Sequence, residues 1–117
     1  MELITLQQDR STGTDVKLAV EVEGQGKPLL LIHGFPVDHT MWQGQLTDLA
    51  DMFRLIAPDL PGFGESPPPP GTATMEQMAD HLAQLLDALG IQEQVIVCGL
   101  SMGGYIAFEF LRRHRDK

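Results

Sequence analysis

The stretch QVIVCGLSMGGY, residues 94–105, decides the fold of this chain. Its apolar run Val95–Cys98 predicts a short buried strand of a parallel sheet, covered on both faces. The next five residues, Gly99-Leu100-Ser101-Met102-Gly103, fit the pattern G-x-S-x-G. Glycine is needed where a sharp turn brings two backbone segments too close together for a Cβ atom. The stretch therefore predicts a strand, a tight turn and the start of a helix.

The predicted turn gives Ser101 a particular chemical setting. It raises the hydroxyl above the end of the strand and into solvent. The following helix directs its first free N–H groups, and the positive end of its dipole, at the same place. A negative oxygen that develops there would be stabilised. The pattern favours a catalytic nucleophile, and the alternative is a glycine-rich turn in which Ser101 only caps the helix.

Length and composition limit what the chain can be. Its 117 residues predict one domain at most, 1–117, with a modest core. Eight basic residues against sixteen acidic ones give a net charge of −8, which disfavours nucleic acid and anionic membrane surfaces as partners. A hydrophobic content of 43% with 21% charged residues is typical of a globular protein.

Targeting and cofactor signals are absent from the sequence. No apolar run approaches membrane-spanning length, and the N-terminus lacks the basic region of a signal peptide. The single cysteine, Cys98, falls in a predicted buried strand and is interpreted as an inert packing residue, so a cytoplasmic protein is expected. We find no metal-ligand cluster and no phosphate loop, and we expect no metal and no cofactor. His39, His81 and His114 are isolated in sequence, and His81 is predicted to be a solvated surface residue.

Three strands are predicted in the first third of the chain. Val16–Glu23 alternates apolar and polar residues, as a half-buried strand does. Leu3–Gln8 is predicted to pair with it as an antiparallel hairpin, joined by the connection Asp9–Asp15. The continuous aliphatic run Leu29–Ile32 predicts a buried central strand. It leads directly into the segment His33–Pro36.

Two helices and a fourth strand are predicted before residue 94. Met41–Met52 has the apolar stripe of an amphipathic helix. The strand Phe53–Ala57 follows and ends in the glycine-rich loop Pro58–Ser66. The segment Thr74–Leu89 opens with a capping box, carries apolar residues at helical spacing and ends before a glycine, so it predicts a second helix.

Three motifs in this order resemble those of the α/β-hydrolase family. His33-Gly34-Phe35-Pro36 resembles the H-G-[FLW]-[PG] loop after the family's third strand. Residues 59–66, DLPGFGES, resemble its D-x-x-G-x-G-x-S loop after the fourth strand. Gly99–Gly103 resembles its nucleophile elbow. The resemblance implies that Ser101 is the nucleophile.

The same resemblance implies roles for the residues around Ser101. The backbone N–H groups of Phe35 and Met102 would form the oxyanion hole, because two donors must converge on one developing negative oxygen. Asp59 would bind loop amides rather than act as the catalytic acid. Two readings of His33 remain: a histidine that braces its loop by hydrogen bonds, or a general base within hydrogen-bond reach of Ser101. The residues implied to support the loops are His33, Gly34, Gly99 and Gly103.

The residue at the nucleophile position indicates which members of the family this chain resembles most. The best matches are serine enzymes of the esterase, lactonase and C–C hydrolase kind. Haloalkane dehalogenases and epoxide hydrolases share the neighbouring motifs but carry aspartate at the nucleophile position. Ser101 argues against both of those classes.

The catalytic triad is the point at which this chain departs from the family. The family's triad runs Ser, then Asp or Glu, then His along the chain. After Ser101 only Glu109, His114 and Asp116 could take part. His114 lies thirteen residues further along the predicted helix, about 20 Å from Ser101 at about 1.5 Å per residue. We therefore expect the N-terminal half of a hydrolase catalytic domain, without the C-terminal strands, the cap and the triad Asp and His.

The fold implied by the resemblance is a three-layer α/β sandwich around a mostly parallel, twisted sheet of about five strands. In the family order the strands lie 1-2-4-3-5, with the first hairpin antiparallel. The helices Met41–Met52 and Thr74–Leu89 then lie on opposite faces, and the last helix joins the second face. This arrangement leaves Val95–Cys98 as an open apolar edge, which proteins normally avoid. We expect a homodimer or a complementary C-terminal chain to cover that edge.

Two functions of different kinds follow from these patterns. The first is a serine hydrolase that acts on carboxylic esters or related acyl substrates through Ser101, and that is inactive or very weak without a base. The second is a non-catalytic folded half-domain, or an engineered fragment or scaffold, that self-associates or complements a C-terminal half. Acyl transfer or perhydrolysis at the same serine is a weaker third possibility.

Overall fold

The computed structural model describes residues 1–6, 16–69 and 71–117. The sheet in these residues has five strands in the order β1-β2-β4-β3-β5, as predicted. Gln7, Gln8 and the predicted connection Asp9–Asp15 lie outside the described residues. The five strands are β1 (Glu2–Thr5), β2 (Lys17–Glu23), β3 (Lys27–Ile32), β4 (Phe53–Pro58) and β5 (Ile96–Gly99).

The sheet is mixed rather than uniformly parallel beyond its first hairpin. β1 pairs with β2 and β2 with β4 in the antiparallel sense, whereas β3 pairs in parallel with both β4 and β5. In register, Leu30 lies opposite Ile56 on one side and Val97 on the other. Parallel strands end at the same edge of a sheet. The loops that follow β3, β4 and β5 therefore begin at one edge, with β3 in the middle.

Three helices cover the two faces of the sheet unequally. α2 (Met75–Ala88) and α3 (Met102–Arg113) pack together against one face, and α1 (Gln43–Asp48) lies on the other, as expected. The side chains of β3 alternate between these two cores. Leu30 and Ile32 belong to the larger core under α2 and α3, while Leu29 and Leu31 belong to the smaller core under α1.

The first predicted helix is shorter than expected. Instead of one helix over Met41–Met52, a 3₁₀ turn occupies His39–Trp42 and α1 stops at Asp48. The N–H groups of Met52 and Phe53 both donate to the carbonyl of Leu49, which closes a turn where the helix was predicted to continue. Gly44, Thr47 and Asp48 are weak helix formers, so packing decides this segment. The predicted apolar stripe nevertheless holds, since Trp42 and Leu46 are buried.

The second predicted helix agrees closely with the structure. Thr74 caps α2 by accepting a hydrogen bond from the N–H of Gln77, and the Gln77 side chain accepts one from the N–H of Thr74. Gly90 follows the helix with φ +74°, a backbone angle that glycine adopts without strain. Local chemistry therefore sets both ends of this helix.

Strand β5 departs from the expectation of a strand buried on both faces. Val95 and Val97 pack on the core under α2 and α3, but Ile96 is 42% exposed and Cys98 is exposed as well. The interpretation of Cys98 as a buried packing residue is therefore wrong. The reason is that α1 covers β3 and β4 and, among the described residues, nothing covers that face of β5.

Within residues 1–6, 16–69 and 71–117, no helix combines the length and the apolar character needed to span a bilayer.

Candidate active site

Ser101 occupies a strained turn between β5 and α3. Its backbone angles are φ +56° and ψ −117°, and it is the one non-glycine residue with positive φ among the described residues. The turn is closed by hydrogen bonds from Gly103 N–H to the Leu100 carbonyl and from Gly104 N–H to the Ser101 carbonyl. The serine side chain makes no cap hydrogen bond to α3, and the residue is exposed. The Ser101 hydroxyl is therefore open to solvent and does not cap the helix.

Glycines allow the turn to interlock with the end of β3. A Cβ on Gly103 would collide with the backbone carbonyls of Ile32 and His33, and a Cβ on Gly99 would collide with that of Gly103. A Cβ on Gly34 would lie 2.9 Å from the Leu100 carbonyl oxygen and 3.4 Å from the Ser101 Cβ. The three glycines therefore bring the loop after β3 into direct contact with the serine turn.

We expect Ser101→Gly to raise the free energy of unfolding by about 1 kcal/mol, because glycine adopts this backbone conformation without strain. Ser101→Ala keeps the Cβ and the strain, so it serves as the matched control and should change stability by no more than about 0.5 kcal/mol. Urea unfolding at equilibrium measures both variants. Equal stabilities for the glycine and alanine variants would contradict the assignment of strain to this residue.

The two predicted oxyanion donors adjoin this contact. Phe35 directly follows Gly34, and its side chain is 67% exposed and packs edge-to-face on Phe63 with ring centroids 5.8 Å apart. Met102 is the first residue of α3, where a backbone N–H has no acceptor within the helix. Both backbone N–H groups thus belong to residues that immediately flank the Ser101–Gly34 contact.

His33 is a fully buried bridge between two loops. Its Nε2 accepts a hydrogen bond of 2.9 Å from the Leu60 N–H, which requires the proton to be on Nδ1. Nδ1 lies 2.9 Å from the Gly34 carbonyl and donates to it. Burial lowers the pKa of His33. The ring is therefore neutral at neutral pH, with its single accepting nitrogen already occupied, and it has no lone pair to offer to Ser101.

The buried side chain of Asp59 also joins the loop after β3 to the loop after β4. Asp59 has no exposed surface; one oxygen, Oδ1, is 2.8 Å from both the backbone nitrogen and the Nδ1 of His39, and the other accepts from the Glu65 N–H at 2.9 Å. The backbone N–H groups of two loops thus converge on a single side chain. The bond to the Glu65 N–H is of the kind that the family resemblance implies for Asp59, whereas the sequence carries no local signal that pairs His39 with Asp59.

The same region contains the only group of metal-ligand side chains found among the described residues. Ligand atoms of Asp38, His39 and Asp59 lie within 4.8 Å of one another. These side chains already make hydrogen bonds within the protein, however. Asp59 binds His39 and Glu65, and Asp38 accepts hydrogen bonds from the N–H and the hydroxyl of Thr40. We therefore interpret this group of side chains as a hydrogen-bonded anchor of the two loops.

The other two histidines lie on the helices that flank the sheet. His114 ends α3, and its Nε2 is 2.7 Å from Asp80 Oδ1 on α2. Arg113 makes two hydrogen bonds to the same carboxylate, and this pairing lowers the pKa of Asp80. His81 is half-buried in α2, so its prediction as a solvated surface residue is wrong in part.

The chain belongs to the α/β-hydrolase family: a family model described as "alpha/beta hydrolase fold" matches residues 27–117. An esterase from Thermogutta terrifontis has a similar structure, with a TM-score of 0.92 and 50% identity, covering 99% of this chain and 42% of that one.

Two curated relatives extend the comparison to sequence. The "AB hydrolase superfamily protein YisY" of Bacillus subtilis is 38% identical over 104 residues, covering 88% of this chain and 38% of the relative. A soluble epoxide hydrolase of a Corynebacterium species is 39% identical over 93 residues, covering 80% of this chain and 32% of the relative. This chain thus spans about two fifths or less of the proteins it matches.

Proposed function

We propose that this chain carries the nucleophile and the oxyanion hole of a serine hydrolase that acts on carboxylic esters or related acyl compounds. The observation that supports this most is the strained, exposed Ser101 in contact with the Gly34 loop. The folded protein holds Ser101 in an unfavourable backbone conformation, and backbone strain of this kind is concentrated at functional sites. The similarity to an esterase supports the same substrate class.

The proposed reaction uses the hydroxyl of Ser101 and two backbone amides. A base takes the hydroxyl proton as Ser101 Oγ attacks the acyl carbon, and later gives it to the departing alcohol. The carbonyl oxygen becomes an oxyanion that accepts hydrogen bonds from the N–H groups of Phe35 and Met102. Collapse of this intermediate releases the alcohol, which takes a proton, and leaves an ester on Ser101. Water then attacks that ester, and the acid is released with Ser101 restored. One oxyanion donor contributes about 10²–10³ in rate in enzymes of this kind.

We propose that the base for this reaction comes from outside residues 1–117. His33 has both ring nitrogens engaged, with the Leu60 N–H and the Gly34 carbonyl, and His114 lies at the opposite end of α3 from Ser101. His39 is held by Asp59 in the anchor of the loops. A serine hydroxyl without a base is a weak nucleophile at neutral pH. The 117-residue chain alone should therefore hydrolyse esters very slowly, through its oxyanion hole only.

The serine at position 101 favours an esterase over an epoxide hydrolase, although a relative named as an epoxide hydrolase matches the chain. The epoxide hydrolases and haloalkane dehalogenases that the sequence resembles use an aspartate at this position. Its carboxylate attacks a carbon that carries a leaving group and forms an ester. A neutral hydroxyl that loses its proton on attack is suited instead to an acyl carbon beside an oxyanion hole.

Free imidazole can replace the absent base and so test the nucleophile. We expect hydrolysis of p-nitrophenyl acetate by the chain, minus that by Ser101→Ala, to rise at least about tenfold when imidazole is added at neutral pH. The Ala variant subtracts the direct reaction of imidazole with the ester. A covalent acetyl group on Ser101, detected by mass spectrometry after a short reaction, identifies the intermediate. Equal rates for the two proteins at every imidazole concentration would rule out Ser101 as the nucleophile.

The second candidate function is a non-catalytic half-domain that provides a binding surface. The exposed apolar edge of β5 favours it, together with the engagement of both ring nitrogens of His33 in other hydrogen bonds. The imidazole experiment separates the two candidates. A half-domain without chemistry should show no imidazole-dependent rate and no acetyl group on Ser101, even when its fold is intact by circular dichroism.

A further inference from the structure

Phe63 is an aromatic residue in the loop after β4 that the proposed reaction does not use. Its ring packs edge-to-face against two other rings, that of His33 with centroids 5.4 Å apart and that of Phe35 with centroids 5.8 Å apart. His33 and Phe35 are the residues on either side of Gly34, which contacts the Ser101 turn. One side chain from the loop after β4 therefore supports both neighbours of the glycine that lies against Ser101.

Hydrogen bonds fix the backbone from which the Phe63 ring projects. Its N–H donates to the Leu60 carbonyl at 2.9 Å, and its carbonyl accepts from the Ser66 N–H at 3.0 Å. The glycines on either side have φ +85° and +53°, angles that glycine adopts without strain. The loop can therefore turn tightly on both sides of Phe63, and its ring reaches the loop after β3 from a fixed position.

The peptide group between Gly34 and Phe35 is the part of the loop after β3 that the proposed reaction needs. The Gly34 carbonyl accepts a hydrogen bond from His33 Nδ1 at 2.9 Å and another from the Val37 N–H at 3.2 Å. A trans peptide group is planar, and its N–H points opposite to its C=O. These two hydrogen bonds therefore also set the direction of the Phe35 N–H, which is the proposed oxyanion donor.

The contacts of the Phe63 ring act on both ends of this peptide group. Phe35 is 67% exposed, so few neighbours restrain its side chain, and the Phe63 ring is one of them. On the other side, the Phe63 ring packs against the His33 ring, whose Nδ1 holds the Gly34 carbonyl. Removal of the Phe63 ring would therefore loosen both residues that fix the peptide group between them.

We propose that Phe63 is a positioning residue for the oxyanion hole: its ring holds His33 and Phe35 so that the Phe35 N–H points at the oxyanion. The catalytic part of this inference rests on the proposed function. The alternative is that Phe63 only fills space beside the core under α2 and α3, against which it also packs. A positioned donor matters most in the transition state, where the carbonyl oxygen becomes negative, so the two roles differ in their effect on the reaction.

The first test compares two esters in the imidazole-dependent reaction of Ser101, with the rate of the corresponding Ser101→Ala protein subtracted. One is p-nitrophenyl acetate, and the other is its thionoester, in which sulfur replaces the carbonyl oxygen. Sulfur is a weak hydrogen-bond acceptor, so the thionoester gains little from the oxyanion hole. Phe63→Ala should slow the reaction of the oxygen ester by at least about tenfold and that of the thionoester by less than about threefold. Equal losses with the two esters would overturn the proposal.

Matched variants separate the ring from the space that it fills. Phe63→Tyr keeps the ring and should keep at least about half of the parent rate with the oxygen ester, whereas Phe63→Leu keeps apolar bulk without the ring and should behave as Phe63→Ala does. Phe53→Ala removes another half-buried phenylalanine, at the start of β4 and so at the opposite end of the strand from the proposed site. It should leave the ratio of the two ester rates unchanged. All rates are measured well below the Tm of each variant, and a parent-like ratio in Phe63→Leu would count against the ring.

A second measurement needs no chemistry and separates failure of this proposal from failure of the proposed function. In nitrogen-15 relaxation, the order parameter of the Phe35 amide should fall from about 0.85 in the parent to below about 0.6 in Phe63→Ala. That of Met102, in α3, should not change. A mobile Phe35 amide in Phe63→Ala, with no Ser101-dependent rate in the parent, would remove the proposed function and support the positioning by Phe63. A Ser101-dependent rate with a Phe35 amide that stays rigid in Phe63→Ala would do the reverse.

Discussion

Gly103→Ala is expected to lower the free energy of unfolding by about 3 kcal/mol, because a single added methyl group has nowhere to go. The new Cβ would collide with the carbonyls of Ile32 and His33, which are backbone atoms at the end of the central strand. Neither carbonyl can rotate away as a side chain would. The collision would push α3 from the sheet and separate Ser101 from the Gly34 loop.

The neighbouring glycine provides the matched control. Gly104 lies one residue further along α3, and a Cβ there would be 3.7 Å from its nearest neighbour, the Gly99 carbonyl oxygen, which is an ordinary contact. Gly104→Ala should therefore raise stability by about 0.5–1 kcal/mol through helix propensity. Urea unfolding monitored by circular dichroism gives both values. Effects of the same sign at the two positions would contradict the packing described for the turn.

Asp59→Asn is expected to lower the free energy of unfolding by about 3 kcal/mol, because it breaks a buried hydrogen-bonded anchor. The carboxylate faces the His39 N–H, the His39 ring and the Glu65 N–H. An amide of the same shape presents one accepting oxygen and one NH₂ group, so at least one N–H would face another donor at a side chain that has no exposed surface. The loops after β3 and β4, which both bind the Asp59 side chain, would loosen together.

The control for this substitution is a second carboxylate in the same cluster. Asp38 caps the 3₁₀ turn by accepting from Thr40, and it is partly exposed. Asparagine is as good a cap as aspartate, so Asp38→Asn should change stability by no more than about 0.5 kcal/mol. Urea unfolding of both variants, with amide exchange of Glu65, separates the two roles. Similar losses for both variants would show that charge in the cluster, rather than the buried hydrogen bonds, is what matters.

Predictions from local sequence patterns agree with the structure where the stabilising interactions are made between residues close together in the sequence. The reciprocal bonds of Thr74 and Gln77 need only residues three apart, and α2 forms as the sequence predicts. The strand order was anticipated because three motifs resemble one family. The length of α1 was not, because an amphipathic stripe from Trp42 to Leu49 does not say where a turn will stop the helix.

The sequence by itself determined the strand–turn–helix at Ser101, the capped helix α2 and the family, because each depends on neighbouring residues and their spacing. Only the tertiary structure decided that His33 has no free nitrogen, that His39 meets Asp59 and that Cys98 is exposed. Those facts depend on which strands and loops lie side by side. Contacts between residues twenty or more apart arise from the packing of the whole sheet, and no local pattern carries them.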